Sequence, residues 1–350
     1  MQLRIWCIDI SEFLSWKGIL MPYTQQLKDL QAAFLANAIE CKRNESLANH
    51  VSMKTGGEAT LVVWPNSRRQ LIHVLDLWRE VGGHCPICVI GEGNQILFSD
   101  HGYHGLVVIT TNVNRVVFEE DEAEDRGAFR RERIFCQVYA ECGAFLTAIA
   151  QACGEDARAL SGLEFAYGLP GTVGGATVVN AGSFGSYMES VLISSEYYDL
   201  ATGSIVRLMD NQMDLDYDRS IYVDHPDWII LSTVMTLSYG NADEIRDRME
   251  LNLSIRREKQ PWEFPASAQI FKRLEDAFAG RLIENAGLKG YTIGGAQVSE
   301  KHAGFIVNRG DATTEDVVNL IRHVQNTVEK ECQRNLVCRI RFVTDGMEGN

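Results

Sequence analysis

The segment Ser161–Gly185 constrains the fold of this chain more than any other part of the sequence. Seven glycines fall within its 25 residues, with valines, a proline and an asparagine between them. Because glycine has no Cβ, such a segment adopts positive φ angles and lets a ligand approach the backbone closely. Consecutive amides in turns of this kind form concavities that bind anions such as a diphosphate. The segment therefore predicts an anion cradle, and a set of tight structural turns is the alternative.

A second glycine cluster, Gly91-Glu92-Gly93-Asn94-Gln95, follows the apolar run Ile87–Ile90. Two such clusters favour a cofactor cradle over turns that serve structure alone. Neither P-loop nor Rossmann chemistry is indicated, since no Lys-Ser/Thr pair follows the glycines of Ser161–Gly185. The sequence GTVGGA is also a poor match to the GxGxxG motif that opens a helix in a βαβ unit.

The composition excludes several classes of protein. The net charge is −14 and the isoelectric point is near 5.1, so neither nucleic acid nor an anionic membrane is expected as a partner. The nine cysteines lack the spacing of a secreted disulfide framework, which indicates a cytoplasmic protein. The sequence contains no apolar run long enough for a transmembrane helix. The apolar segment that ends at Met21 is interrupted by charges and fits a signal peptide poorly.

Hydrophobic periodicity and turn residues predict helices and strands over most of the chain. Helices are expected at Gln25–Asn44, Ser67–Val81, Asp243–Arg257, Ala279–Ala286 and Thr314–Glu331. Strands are expected at Thr60–Trp64, Pro86–Ile90, Gly105–Thr110, Val116–Glu119, Arg133–Val138, Ser195–Asp199, Ser204–Arg207, Trp228–Leu237 and Leu336–Val343. The charged stretch between Glu119 and Arg133 is interpreted as a solvated hairpin. Two prolines in Gln260–Pro265 predict a domain boundary.

Three parts of the sequence together resemble the UDP-N-acetylenolpyruvoylglucosamine reductase (MurB) family, the flavoenzymes that make UDP-N-acetylmuramate for peptidoglycan. They are His50–Gly57 with Gly91–Phe98, then Gly162–Gly185, and then Ala279–Asn308. Their order and spacing agree with the family over residues 45–343, and the chain resembles its shorter subtype. The resemblance implies an α+β protein with a PCMH-type FAD fold of two subdomains and a C-terminal α+β substrate domain.

The resemblance also implies domain boundaries and a cofactor site. Residues 1–44 would be an N-terminal extension, 45–113 and 114–255 the two FAD-binding subdomains, and 256–335 the substrate-binding domain. Residues 336–350 would form a strand that returns to the flavin, followed by a tail. FAD would contact the two glycine clusters and their neighbours: Thr55, Gly56, Gly57, Gly91, Glu92, Gly93, Asn94, Gln95, Gly171, Thr172, Gly174, Gly175, Asn180 and Gly182.

The chemistry of the family indicates which side chains it needs. NADPH reduces the flavin, which then delivers hydride to an enolpyruvyl ether on a nucleotide sugar. The charge that develops near the substrate carboxylate is stabilised by Arg and Glu, and a Ser hydroxyl donates the proton. In this chain Asp218, Gln269 and Arg339 stand at the Arg, Ser and Glu positions. An amide is no general acid near neutral pH, so an altered reaction is expected.

The Arg and Glu positions have exchanged charge. We hypothesise that Asp218 and Arg339 form an ion pair of reversed polarity, and relaxed drift after loss of catalysis is the alternative. Arg219 and Ser267 are candidates to compensate for the replaced residues. Further residues are expected to meet the substrate by analogy with the family, with solvated surface side chains as the alternative for the lysines: Tyr217, Lys259, Lys272 and Arg273.

Other candidates are given structural roles. Cys85 and Cys88 form a CxxC pair, but their position in an expected strand favours core cysteines over a redox pair. No second ligand pair at zinc spacing is present, so no metal site is expected. His302 belongs to a block of the family sequence and is interpreted as a packing residue.

Three functional hypotheses follow. The first is an FAD-dependent oxidoreductase of this family with an altered small-molecule substrate or an altered direction of hydride transfer. The second is the NADPH-dependent reductase that forms UDP-N-acetylmuramate, with compensating residues near the site. The third is a flavin-binding protein without catalysis.

Overall fold

The computed structural model of this protein describes residues 23–82, 85–119 and 134–343. Residues 1–22 of the expected N-terminal extension, the charged hairpin and the tail lie outside these ranges. Helices α1 to α8 are Thr24–Ala36, Arg68–Val81, Leu146–Cys153, Val173–Val178, Ile221–Asp224, Ala242–Lys259, Ala279–Asn285 and Thr314–Cys332. In these ranges, none of the helices has the length and apolar character needed to cross a bilayer.

The strands β1 to β17 form several sheets. Their bounds are Cys41–Ser46, Glu58–Val63, Ile87–Ile90, Ile96–Phe98, Tyr103–Ile109, Val116–Glu119, Phe135–Glu141, Leu160–Ser161, Gly182–Ser183, Ser186–Tyr187, Leu192–Asp199, Ile205–Met209, Trp228–Tyr239, Thr292–Ile293, Ala296–Val298, Ile306–Asn308 and Arg341–Val343. Most predicted elements are confirmed with ends that differ by a few residues. The predicted strand Leu336–Val343 is shorter in the structure, where it spans Arg341–Val343.

The first sheet has the strand order β1-β2-β5-β3. Strands β2 and β5 are buried along nearly their whole length, as is typical of parallel strands covered on both faces. Helix α2 begins after Ser67, whose hydroxyl accepts a hydrogen bond from the backbone amide of Gln70. This N-cap confirms the predicted start of the helix.

The predicted helix Gln25–Asn44 is wrong in its second half. Helix α1 ends at Ala36, and Ala38 has a φ of 53°, a left-handed conformation that interrupts a helix. The following residues form β1, which pairs antiparallel with β2 so that Cys41 lies opposite Val63. Because this pairing joins residues that are distant in the sequence, helical periodicity alone did not reveal it.

The second sheet is antiparallel and has the order β12-β11-β13-β7-β6, with β8 also paired to β13. The glycine-rich segment Ser161–Gly185 leaves this sheet at the end of β8. It contains α4, which packs on β13 and β7. A rigid sheet therefore supports one end of the glycine-rich backbone.

The C-terminal part contains the sheet β14-β15-β16 and helices α7 and α8. Its apolar core includes the buried face of α8 and also Met53 and Leu97 from the first part of the chain. Strand β17 then pairs in parallel with β4, with Phe342 opposite Leu97. The chain thus returns to the residues that follow the first glycine turn.

The N-terminus of α8 is capped across this junction. The carboxylate of Asp100 accepts hydrogen bonds from the amides of Thr314 at 2.8 Å and Glu315 at 2.9 Å. The hydroxyl of Thr313 accepts from the amide of Asp316 at 3.0 Å. Amides at the start of a helix lack acceptors within the helix, so Asp100 satisfies two of them and fixes the helix to the region after β4.

We expect Asp100→Ala to lower the free energy of unfolding by about 1 kcal/mol, because two helix amides lose a charged acceptor. Urea denaturation monitored by circular dichroism measures the change. Asp100→Asn is the comparison variant, since its single amide oxygen replaces only one of the two carboxylate oxygens and should retain part of the cap. An unchanged midpoint for Asp100→Ala would show that the cap does not stabilise the junction.

Candidate functional site

The turn Gly91–Gln95 is held through its carbonyl groups. Three segments that are distant in the sequence donate backbone amides to the carbonyls of Gly93, Asn94 and Gln95. The donors are Ser52, Ala268 and Arg341, at 3.1, 3.1 and 3.0 Å respectively. The turn is therefore fixed from its outer side by the connection between β1 and β2, by the segment before α7 and by the returning strand.

The amides of the same turn are left free. Across the described ranges, the backbone amides of Glu92, Gly93 and Asn94 donate to no protein acceptor. The side chain of Asn94 is fixed by the hydroxyl of Ser52 and by the carboxylate of Glu92, which accepts from Asn94 Nδ2 at 3.0 Å. Free amides in a rigid turn are typical of an anion-binding concavity.

The second half of the site is Gly171–Gly175, at the start of α4. A Cβ on Gly91 would lie 2.2 Å from Thr172 Oγ1, so the two glycine segments are in direct contact. In contrast, a Cβ on Gly171 would lie 3.9 Å from the nearest protein atom, and a Cβ on Gly175 would lie 3.7 Å away. A Cβ at either position would thus make one ordinary van der Waals contact, and the exposure of Gly175 gives a ligand access to this backbone. We call Gly91–Gln95 and Gly171–Gly175 together the glycine cradle.

Protein contacts account for the other residues predicted to touch the cofactor. The Thr55 hydroxyl accepts from Thr314 Oγ1 at 3.0 Å. Asn180 Nδ2 donates a hydrogen bond to the carboxylate of Glu189 at 2.8 Å, and Asn180 Oδ1 accepts one from the Glu189 backbone amide at 2.9 Å. Four glycines pack so closely that a Cβ would meet neighbouring atoms within about 3 Å: Gly56, Gly57, Gly174 and Gly182, against Phe98, Asp100, Cys142 and Tyr187. Their assignment to the cofactor stays a prediction.

The hypothesised contact between Asp218 and Arg339 is present. Arg339 donates Nε at 2.7 Å and Nη2 at 2.6 Å to Oδ1 of Asp218, and Lys272 Nζ lies 3.5 Å from Oδ2. The Asp218 side chain is 4% exposed, compared with 16% for Arg339 and 39% for Lys272. One buried carboxylate is therefore shared by two cations, and we call these three residues the Asp218 cluster.

The backbone explains how these residues meet. Segments 270–272 and 337–339 run side by side, since Arg339 N donates to Ile270 O at 2.8 Å and Lys272 N donates to Val337 O at 2.9 Å. Asp218 reaches them from a tight turn with a φ of 55°. Asp is one of the residues that tolerate this left-handed conformation.

Tyr217 precedes Asp218 and extends the same contact. Its hydroxyl accepts from the backbone amide of Arg273 at 2.9 Å, and the Arg273 guanidinium carbon lies 5.0 Å from the centre of its ring. A guanidinium at this distance from an aromatic ring is attracted to its π electrons. Tyr217 and Arg273 are thus brought together with the Asp218 cluster.

The remaining candidates are engaged elsewhere or exposed. Arg219 pairs with Asp214 at 3.0 Å and Asp224 at 3.5 Å, and the Ser267 hydroxyl donates to Asn94 O at 2.6 Å. Gln269 and Lys259 are exposed, and neither side chain has a hydrogen bond or ion pair within the residues described. The structure therefore gives Ser267 a contact that joins the C-terminal part to the glycine cradle.

Arg256 is a residue that the sequence analysis missed. It is buried in α6 and donates to the carbonyls of Phe165 at 2.7 Å and Tyr167 at 3.2 Å, both in the glycine-rich segment. Burial lowers the pKa of its guanidinium to about 10. Its spacing from the buried Ile245 and Met249 puts it on the apolar face of the predicted helix. A charged residue on that face was the feature of the sequence that could have indicated its burial.

The comparisons with known proteins match both halves of the chain. A family model for the FAD binding domain matches residues 59–209, and one for the C-terminal domain of UDP-N-acetylenolpyruvoylglucosamine reductase matches residues 260–343. The reductase of Caldanaerobacter subterraneus is 39% identical over 300 residues, which are 86% of this chain and 92% of that protein. This chain belongs to the MurB family. The reductase of Clostridium novyi is 35% identical and is covered to 94%.

The fold agrees with this family. The crystal structure of the MurB reductase from Thermus caldophilus superposes with a TM-score of 0.66 at 25% identity, over 87% of this chain and 98% of that one. The predicted α+β class, with a PCMH-type FAD-binding fold and a MurB C-terminal domain, is thereby confirmed. The exact domain boundaries stay predictions.

The FAD-binding domain fits the glycine cradle. The free amides of Gly91–Gln95 suit the diphosphate of FAD, and the exposure of Gly175 admits a ligand close to the backbone. Within the described ranges, a Cβ on Gly171 would lie near Asn94 Nδ2 and one on Gly175 near Thr172 Oγ1, each in ordinary van der Waals contact, and the two halves are in contact through Gly91 and Thr172. The residues present are therefore compatible with the cofactor.

Gly175→Ala separates a ligand-binding glycine from a structural one. Because Gly175 lies exposed in α4, we expect the variant without cofactor to gain about 0.5–1 kcal/mol of stability while its FAD affinity falls. Gly91→Ala is the contrasting variant, since its Cβ would strike Thr172 and destabilise the protein itself. Urea denaturation and fluorescence titration with FAD measure the two effects. Unchanged FAD affinity for Gly175→Ala would place the cofactor elsewhere.

We expect Cys85 and Cys88 to resist alkylation in the folded protein. Burial raises the pKa of the Cys85 thiol to about 11 and that of Cys88 to about 12, so the reactive thiolate is scarce at pH 8. Mass spectrometry after iodoacetamide treatment measures the labelling, with the half-buried Cys332 as an internal comparison. Rapid labelling of either CxxC cysteine before that of Cys332 would support a redox role instead.

Proposed function

We propose that this protein is a cytoplasmic, FAD-dependent oxidoreductase of the MurB family that acts on an anionic small molecule with a rewritten reaction. The observation that carries the proposal is the Asp218 cluster. Arg339 and Asp218 stand where the family resemblance expects an acid and a cation, and they are in contact at 2.6 Å. Their charges have been exchanged as a pair, which favours a retained site over independent loss of two residues.

Bound FAD would supply hydride transfer, and NADPH is the proposed electron donor. The chain itself would supply binding and charge. The glycine cradle would hold the FAD diphosphate through the amides of Glu92, Gly93 and Asn94. Lys272, Arg273 and Arg339 would orient the negatively charged part of the substrate, for which a nucleotide sugar is the first candidate because the named relatives are reductases of one.

The ordinary reaction of the family lacks its proton donor in this chain. Gln269 is at the position of the serine, and an amide does not donate a proton near neutral pH. The hydroxyl of Ser267 is bound to Asn94 O, and Arg219 is paired with two exposed aspartates. These contacts argue against both compensating candidates and so against the genuine UDP-N-acetylmuramate-forming reductase.

A flavin-binding protein without catalysis is the second candidate function. It is favoured by the low exposure of Asp218 and Arg339, because the two charges satisfy each other and need no substrate. Reduction of the flavin by a nicotinamide separates this candidate from the oxidoreductase. The two proposals otherwise share the same cofactor and the same cradle.

Anaerobic reduction of the purified flavoprotein tests the proposal. We expect NADPH to bleach the absorbance of the oxidised flavin, and enolpyruvyl-UDP-N-acetylglucosamine to leave it bleached. Stopped-flow absorbance measures both steps, with NADH as the comparison donor. Rapid reoxidation by the enolpyruvyl substrate would overturn the rewritten reaction. Failure of both nicotinamides to reduce the flavin would support the protein without catalysis.

Restoring the family residues tests the same proposal by gain of function. We expect the triple variant Asp218→Arg, Gln269→Ser, Arg339→Glu to reoxidise with the enolpyruvyl substrate. The matched control is Asp218→Arg, Arg339→Glu, which lacks the hydroxyl and should be slower by roughly 10²–10⁴-fold, the usual contribution of a general acid. Flavin absorbance before reduction reports that both variants fold. Equal rates in the triple variant, the control and the unmodified chain would contradict the assignment of these three positions.

A further inference from the structure

The turn Asp216–Arg219 connects two parts of the molecule. It is closed by two backbone hydrogen bonds, from Asp216 N to Arg219 O at 3.2 Å and from Arg219 N to Asp216 O at 3.1 Å. On one side, Asn180 Nδ2 donates to Asp216 O at 3.1 Å and the Ser220 hydroxyl donates to Val178 O at 2.6 Å. The turn is thus attached to the end of the glycine-rich segment.

On its other side, the turn contacts the paired segments 270–273 and 337–339. Tyr217 meets Arg273, and Asp218 meets Lys272 and Arg339. These contacts are two ion pairs to Asp218, a hydrogen bond from the backbone amide of Arg273 to the Tyr217 hydroxyl, and a cation–π contact between the same two residues. Through the turn, they connect the glycine-rich segment to the C-terminal part.

In the Asp218 cluster, two cations contact one carboxylate. Lys272, Arg273 and Arg339 supply three cations, and Asp218 supplies the carboxylate that two of them contact. A guanidinium has five N–H donors, and Asp218 occupies two of those of Arg339. The other three have no acceptor within the described ranges. The site is therefore able to bind more negative charge than Asp218 provides.

We propose that Asp218 is an internal ligand that occupies an anion-binding site formed by Lys272 and Arg339. A small molecule with a phosphate or carboxylate group replaces it, and the Asp216–Arg219 turn then releases the paired segments. Lys272, the most exposed member of the cluster at 39%, gives the incoming anion its first contact. This inference deepens the proposed function, because it describes how access to the same site is regulated.

The need to displace Asp218 lowers the measured affinity of the site for the incoming anion. If the closed state is the dominant one, the measured dissociation constant of the anion equals its intrinsic value divided by the open fraction. Removing the charge of Asp218 removes this competition. With roughly one molecule in ten open, the variant binds the anion about tenfold more tightly than the unmodified protein.

Titration with inorganic pyrophosphate tests this mechanism. We expect Asp218→Asn to bind it about tenfold more tightly than the unmodified chain in calorimetry. Excess FAD keeps the glycine cradle filled, so that the probe reports the cationic site. Equal or weaker binding by Asp218→Asn overturns the proposal. The control is Asp214→Asn, which removes an exposed carboxylate paired with Arg219 beside the same turn and should leave the affinity unchanged.

Two further measurements keep the test decisive if Asp218→Asn folds poorly. Lys272→Gln removes the most exposed cation of the cluster and should weaken pyrophosphate binding several-fold. In the unmodified protein, pyrophosphate should accelerate amide hydrogen exchange at Tyr217–Arg219 while strands β11 and β13 stay protected. Unchanged affinity in Lys272→Gln, or unchanged exchange in the turn, contradicts an internal ligand. Neither readout requires turnover, so a failed reductase assay does not decide this result.

Discussion

The docking of the C-terminal part onto the turn Gly91–Gln95 is the constraint on which the rest of the site depends. The backbone amides of Ala268 and Arg341, both in the C-terminal part, bind carbonyls of this turn, and the pairing of β17 with β4 continues the contact. Because the carbonyls face the protein, the amides of the turn remain available to a ligand. The same docking places residues 337–339 beside residues 270–272. One set of backbone contacts therefore builds the cradle and brings Arg339 to Asp218.

The ion pair between Asp218 and Arg339 couples two positions that are 121 residues apart. Removing Asp218 alone would leave the Arg339 guanidinium without its carboxylate, and removing one partner of a buried pair typically costs about 3–5 kcal/mol. A change at one position alone is thus unfavourable, whereas an exchange at both preserves the balance. Under the proposed exchange of charge at these two positions, this coupling would let the site reverse its polarity and keep its fold. The exposed ion pairs of Arg219 stabilise the fold less, since surface ion pairs contribute about 0–1 kcal/mol to the free energy of unfolding.

Local patterns in the sequence predicted the elements that local interactions stabilise. The start of α2 follows from the Ser67 cap, and α8 follows from an amphipathic pattern with a capping box at Thr313. The helix predicted through Asn44 failed because β1 is held by pairing with β2, a contact between distant residues. The buried Arg256 was missed for a related reason. Its partners, the carbonyls of Phe165 and Tyr167, lie far from it in the sequence.

The sequence by itself determined where the glycines cluster and that positions 218 and 339 carry opposite charges. Those facts are residue identities, and identity decides backbone freedom and charge. Only the tertiary structure decided which glycines are exposed and which pack against protein, as Gly175 and Gly182 illustrate. It also decided that Ser267 bonds Asn94 O and that Lys272 joins the Asp218 pair. Hydrogen bonds and ion pairs act over a few ångströms, and only folding brings residues from distant segments within that range.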